Sequence, residues 1–193
     1  MNNGSLMNTV EPMLMPCQTR RSPSTISAGL RRGLTISLLL SSSLALGTAF
    51  TDRANGFSVT PLAGWKQSTD SRVAAFFSAP APVDGVVSNL NVVVKTLPST
   101  ATLDDFASLS SSEVAKAFPG STKEKTYRGA LDGQPAATTA YTLPAKGRTL
   151  VSVQTIVIVG KRVYVLTGVT AESNASAFGA VNAAFIKSFR FLK

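Results

Sequence analysis

The chain has 193 residues, of which 44% are hydrophobic and 15% charged, with 14 Gly, 10 Pro, one Cys and no His. That length suits one domain of ordinary size, and so apolar and weakly charged a chain is not a disordered one. The lack of histidine excludes the commonest general base, the commonest metal ligand and every His-containing triad, and the patterns G-x-S-x-G, S-x-x-K, G-x-x-x-x-G-K and G-x-G-x-x-G are also missing.

In chain order, residues 33–49 (GLTISLLLSSSLALGTA) form an apolar run directly after Arg31-Arg32, and it ends in the small residues Gly47 and Ala49. A basic stretch, an apolar stretch and small residues at −3 and −1 predict a secretory signal peptide cleaved after Ala49. An anchor helix needs about 20 apolar residues, whereas this run is shorter and interrupted by Ser41-Ser42-Ser43. Residues 1–49 are therefore read as an N-terminal extension and signal peptide, with Met7, Met13 and Met15 as alternative starts. Arg31-Arg32 also fits a twin-arginine signal. Cys17 lies upstream of the apolar run, so it is not the lipid-bearing cysteine of a lipoprotein. Positive charge ahead of the run places residues 50–193 across the membrane, periplasmic or extracellular, with no transmembrane segment left after cleavage. That domain has neither Cys nor His, which excludes disulfides, thiolate chemistry and zinc or iron–sulfur sites on those ligands. Losing Arg20, Arg21, Arg31, Arg32 and Glu11 takes the net charge from +9 to +6.

Three strands are predicted first, over 57–60, 73–78 and 89–97. Asn55-Gly56, Pro61 with Ala63-Gly64-Trp65, and Ala79-Pro80-Ala81-Pro82 punctuate them. In the third, Leu90, Val92 and Val94 alternate with Asn89, Asn91 and Lys95, a period of two with one wet face. Thr102 with Asp105 resembles a capping box, and Asp104-Asp105 suits the N-terminal dipole of the helix that follows. Leu103, Phe106, Val114, Ala117 and Phe118 recur at helical spacing, with Ser108, Ser110, Ser111 and Ser112 mostly on the other face, and Pro119-Gly120 stops the helix. Four more strands are predicted over 122–131, 136–143, 149–159 and 163–170. They are joined by Asp132-Gly133, by the turn at 144–147 and by Gly160-Lys161. A last helix, capped by Ser173 or Asn174, carries Phe178, Val181, Phe185, Ile186 and Phe189 on one stripe. The order predicts an α+β domain, an antiparallel sheet of about six or seven strands flanked by helices.

The arrangement resembles the family that includes the photosystem accessory protein PsbP, the periplasmic protein DcrB and related bacterial envelope proteins. The resemblance is carried by Gly56-Phe57-Ser58-Val59 with Pro61 and Gly64-Trp65, by Asn91-Val92-Val93-Val94, and by Leu103-Asp104-Asp105-Phe106. Asp132-Gly133-Gln134-Pro135-Ala136, Val163-Tyr164-Val165-Leu166-Thr167 and Phe185-Ile186-Lys187-Ser188-Phe189 complete it. It spans nearly all of 55–192 and implies an α-β-α sandwich, usually exported, without catalytic machinery and often acting as an accessory or interaction protein. The manganese or calcium association of plant photosystem members does not carry over, since no ligand set here matches.

Trp65, the only tryptophan, reads as an anchor at the core edge, with a partner contact as the alternative. The basic residues fall into Lys123, Lys125 and Arg128 on one strand, Lys146 and Arg148 at a turn, and Lys161-Arg162 at a hairpin tip. Lys123 and Lys125 are two apart and are expected on one side of the sheet. They read as a solvated face or as edge protection, the alternative being a patch for an anionic partner. Tyr127 adds stacking, but the regular aromatic–basic interleaving of a nucleic-acid surface is missing. Asp104-Asp105 is explained by capping without a metal, Glu113, Glu124 and Glu172 are dispersed, and the sequon at Asn174 reads as a helix cap. These features predict a non-catalytic exported accessory protein that binds an envelope protein or anionic surface component and uses no cofactor. One alternative is a module holding a small apolar or anionic ligand between the sheet and the small residues Ala175, Ala177, Gly179, Ala180, Ala183 and Ala184. A hydrolase built on Ser, Lys, Asp or Glu is the other.

Overall fold

Period-two alternation and glycine-bearing turns organise the chain, seen here in a computed structural model that describes residues 44–97 and 101–193. Arg31-Arg32, Cys17 and the predicted export segment up to residue 43 lie outside the described residues. The first elements are β1 (Phe50–Asp52), β2 (Phe57–Val59), β3 (Lys66–Ser68), β4 (Ala75–Ser78), β5 (Asn89–Thr96) and helix α1 (Leu103–Ala117). Then come β6 (Thr122–Lys123), β7 (Tyr127–Leu131), β8 (Gln134–Ala145), β9 (Arg148–Val159), β10 (Arg162–Ala171), helix α2 (Ala175–Ser188) and β11 (Arg190–Phe191).

Eight strands form one antiparallel sheet in the order β3-β4-β5-β10-β9-β8-β6, with β7 also on β8, and β1-β2-β11 form a second sheet of three. The α+β sandwich is the one expected, with a larger main sheet. The polar tripeptide of β3 gave no hydrophobic signal, and the single strand expected over 122–131 is two. Two residues with left-handed φ close each of the tight turns β7–β8 (Asp132 47°, Gly133 81°) and β8–β9 (Lys146 49°, Gly147 75°), the geometry whose twist matches a hairpin. The second of these corrects the expected turn at 144–147, because β8 runs on through Pro144, which pairs with Thr149.

Alternation sends one set of side chains to each face of the sheet. Toward α2 point Phe77, Leu90, Val92, Val157, Tyr164 and Leu166, which pack with Phe57 of β2 and with Phe178, Phe185 and Phe189. Phe57 and Phe189 stack at 5.4 Å between centroids, and Phe77 meets Phe185 edge-on at 5.9 Å. Each such ring contributes roughly 1.5–3 kcal/mol by leaving water, so this layer dominates the stability of the fold. It admits α2 closely because β10 has Gly168 beneath it, where a Cβ would come within 2.9 Å of the Phe178 ring and collide with the Asn182 carboxamide.

The opposite face is more polar. Ile156, Val163 and Val165 pack under Ala107, and Tyr141, Leu143, Leu150 and Val169 under Val114 and Phe118. Within α1 only Ala107 is fully buried. Ser110 donates to Gln154 Oε1 at 2.7 Å, and the Ser111 and Tyr141 hydroxyls bond at 3.0 Å. These two serines, expected on the outer face, therefore face the sheet. Asn89 and Asn91 also differ from expectation, since the face read as wet is covered and both are buried.

The capping box forms as expected: Asp105 N–H donates to Thr102 Oγ1 at 3.1 Å, and Thr102 N–H donates back to Asp105 Oδ2 at 3.2 Å. The second cap does not. Asn174 holds the N-cap position, yet its carboxamide donates to Thr170 Oγ1 at 3.0 Å, and the Ser173 hydroxyl turns away to Asp84. A 3-10 turn, Glu172–Asn174, leads into α2 instead.

At the other end, Leu46 bridges Leu62, Gly47 N–H donates to the Pro61 carbonyl at 2.8 Å, and Ala63 N–H donates to the Ala45 carbonyl at 2.9 Å. The last residues of the predicted export segment thus lie against the loop after β2. Among the described residues no helix is long and apolar enough to cross a membrane.

Candidate functional site

The sheet edges and hairpin tips carry the residues singled out from the sequence, and the fold distributes them. Gly64, at φ 82°, turns the chain so that the half-buried Trp65 ring lies 6.3 Å from Phe178 against the α2-face core. That is the anchoring position. Trp65 sits beside β3, one edge of the main sheet, whereas Lys123, Lys125 and Arg128 belong to the other edge. Six strand spacings separate the two edges, roughly 29 Å, so the tryptophan and these cations do not form one site.

Nor do Lys123 and Lys125 share a side. Lys123 pairs with Tyr141 and Tyr127 with Thr138, so between them one extra residue has entered β6–β7. Glu124 N–H donates to the Ala140 carbonyl at 2.9 Å, which places the bulge at Glu124 and Lys125. A bulge sets two residues against one and reverses the alternation. Lys123 consequently falls on the α1 face with Tyr141. Lys125 holds its ammonium 6.0 Å from the Tyr127 ring, and Tyr127 belongs to the α2 face. No glycine marks the bulge, so period-two counting misses it.

Arg128 pairs with Asp104 in the first turn of α1, tying the edge to the helix start. At the β9–β10 tip the Lys161 carbonyl accepts the Leu97 amide at 2.7 Å, and the Arg162 guanidinium lies over Gly56, where a Cβ would come within 3.3 Å of it. The carboxylates are likewise engaged locally. Glu113 holds Lys116 at 2.9 Å, and three hydrogen bonds from Arg72, two from its guanidinium and one from its backbone amide, bring Asp70 down to about 2. Thr102 lowers Asp105 in the same way.

Two grooves lie outside the sites read from the sequence. The larger, about 540 Å³ and open to solvent, runs between β7 and α2 and is lined by Ala130, Leu131, Ala183, Ile186, Lys187 and Arg190, with Asp132 at one end. Asp132 Oδ2 accepts the Phe191 amide at 2.8 Å, and its other oxygen lies 3.8 Å from Arg190. The smaller, about 300 Å³, lies where Arg148 donates to the Gly85 carbonyl at 3.0 Å. The small residues of α2 do not enclose a ligand against the sheet: Ala177, Gly179, Ala180 and Ala183 face solvent, and Ala175 and Ala184 are half-buried. Pairing across two distant segments builds the larger groove; Asp132, Ala183, Ile186 and Lys187 stood out in the sequence as turn, helix or motif residues, but nothing in it brought them together.

The family model described as DcrB matches residues 42–185. Among solved structures, the chain is similar to cyanobacterial PsbP (CyanoP) from Synechocystis sp. PCC 6803, at 19% identity and a TM-score of 0.58 over 79% of this chain and 95% of that one. It is similar to LpqN, involved in cell envelope biogenesis of Mycobacterium tuberculosis, at 12% identity and a TM-score of 0.62 over 71% and 83%. It is also similar to the Saccharomyces cerevisiae Ran-binding protein Mog1p, at 10% identity and a TM-score of 0.56 over 78% and 97%. These likenesses establish the fold. No curated protein matches the chain.

Proposed function

The chain belongs to the DcrB family, and on that premise we propose that it is an exported accessory protein of the cell envelope, binding another envelope component without catalysis of its own. The family match carries the reading, because it covers residues 42–185, most of the folded domain. Likeness to LpqN, described as involved in cell envelope biogenesis, supports the location, as does the basic and apolar run before residue 50. The lack of catalysis is supported by how these carboxylates are used: Asp104, Asp105, Asp70 and Glu113 are held in caps and ion pairs away from either groove, and Asp132, at the end of the larger groove, is held by the Phe191 amide and Arg190. Lys123, Lys125, Arg128, Lys161 and Arg162 then supply surface charge for association, while Trp65, beside the opposite sheet edge, anchors the core.

The test is capture from envelope extract on the full chain as exported, with washes of rising salt and mass spectrometry of what remains. A defined protein retained at high salt is the expected result. Loss of everything by moderate salt reduces the interaction to screened charge contacts, and a robust turnover abolished by single substitutions overturns the non-catalytic reading.

A further inference from the structure

The edge formed by β7 is open. Among the described residues its hydrogen-bonded neighbour is β8 alone. Across the two-residue turn, Leu131 faces Gln134, and residues flanking such a turn exchange both backbone hydrogen bonds. Alternation then directs the amides and carbonyls of Tyr127 and Gly129 toward β8, and those of Arg128 and Ala130 outward. Edge strands are usually blunted by bulges, proline, short length or charge. Here the bulge is spent upstream at Glu124–Lys125, and Pro135 sits on the inner partner strand. The Arg128 side chain is drawn to Asp104 on the α1 face, and Gly129 and Ala130 leave the backbone uncovered.

Behind this edge lies the larger groove, with an apolar floor of Ala130, Leu131, Ala183 and Ile186 and with Lys187 at its rim. Cations stand on both sides of the strand, Lys123 on the α1 face and Lys125 and Lys187 on the α2 face. We propose that β7 is a docking strand for an extended acidic peptide segment of a partner protein. The segment pairs its backbone with Arg128 and Ala130, sets alternate apolar side chains into the groove on the α2 face, and lays the carboxylates between them on the α1 face beside Lys123, with Lys125 and Lys187 adding attraction at longer range. Main-chain pairing supplies affinity and the groove supplies selectivity, as in other strand-addition complexes. Charge selects this occupant over a second copy of the chain, since two copies repel, whether at +9 for the whole chain or at +6 after loss of residues 1–49. The proposal rests on the accessory reading only in taking the partner to be a protein.

A fluorescent synthetic peptide alternating Glu and Val, added to the full chain, tests it by anisotropy. Ala130→Pro removes an outward amide while leaving the β7–β8 bonds in place, a position where an edge strand tolerates proline. Thermal unfolding checks that the variant is folded. The expected result is binding that weakens at least about tenfold in Ala130→Pro. In a second arm that needs no variant, two forms of the peptide N-methylated at alternate positions meet the unaltered protein, and only the form with its β7-facing amides blocked loses binding. No binding to the unaltered protein, or equal binding of both N-methylated forms, overturns strand pairing. A dimer of the chain that Ala130→Pro dissolves overturns the choice of occupant. An envelope protein captured equally by the unaltered chain and Ala130→Pro overturns docking at β7 and leaves the accessory reading standing. Peptide pairing at β7 without any captured protein does the reverse.

Discussion

The two faces of the main sheet are covered by helices of similar length that are held in different ways. On α2 the contact is aromatic and dry: Phe178 and Phe185 are buried among Phe57, Phe77, Tyr164 and Phe189. On α1 a single alanine is fully buried, and hydroxyls of the helix bond to Gln154 and Tyr141. Apolar burial costs nothing in direction, whereas a polar seam must keep its hydrogen bonds aligned and yields only about 0.5–1.5 kcal/mol for each. The comparison teaches that α2 contributes most of the helix–sheet stability, while α1 adds a weaker, more polar cover.

The largest break in that contrast comes from truncating one ring on each side. Phe185→Ala is expected to cost about 3–5 kcal/mol and Phe106→Ala, half-buried on α1, about 1–2 kcal/mol, measured by denaturant unfolding; equal costs would abolish the distinction. Next comes the close approach of α2. Gly168→Ala, which adds one methyl into Phe178 and Asn182, is expected to lose about 1–3 kcal/mol, with chemical-shift changes centred on α2 rather than α1. Thr102→Ala removes the hydroxyl that caps α1 and is expected to cost about 1 kcal/mol. Because α1 has little burial to compensate, native-state hydrogen exchange should show its amides opening well before those of α2.

The smallest effect is electrostatic. Asp70 titrates near 2 in the folded chain, below the ordinary value near 4. Its ion pair with Arg72 therefore stabilises the protein above pH 4 and loses that contribution as the pH falls from about 4 to 2. Asp70→Asn should flatten that slope by about 0.5 kcal/mol or less, since the pair lies at the surface. Neither helix is attached through it, so the variant should leave the α1–α2 contrast unchanged.

What the sequence made legible follows from how local each signal is. Asp132-Gly133, the Thr102–Asp105 box and the aromatic stripe of α2 are written within a few residues, and each formed where its pattern placed it. The one-residue bulge at Glu124–Lys125 is a property of the pairing with β8, so nothing in that stretch announces it, and it separates two lysines that counting put together. Asn89, Asn91, Ser110 and Ser111 look solvent-facing because their chemistry is polar, but another polar layer covers them. The groove between β7 and α2 joins residues near 130 to residues near 187, a distance in sequence that no motif bridges.

The smaller sheet sets the order of events when the chain first emerges. Phe57 pairs with Phe191, and Ser58 with Arg190, so β2 is completed by a strand made long after it. Whether the polypeptide leaves a ribosome or a membrane pore, it comes N-terminus first, and β2 lacks this partner until residues 190 and 191 have passed. Closure of the smaller sheet is therefore a late event, and deleting Arg190 and Phe191 should be felt at β2. A chain fastened this way remains threadable while it is being delivered, and becomes hard to pull back once β2 and β11 have met.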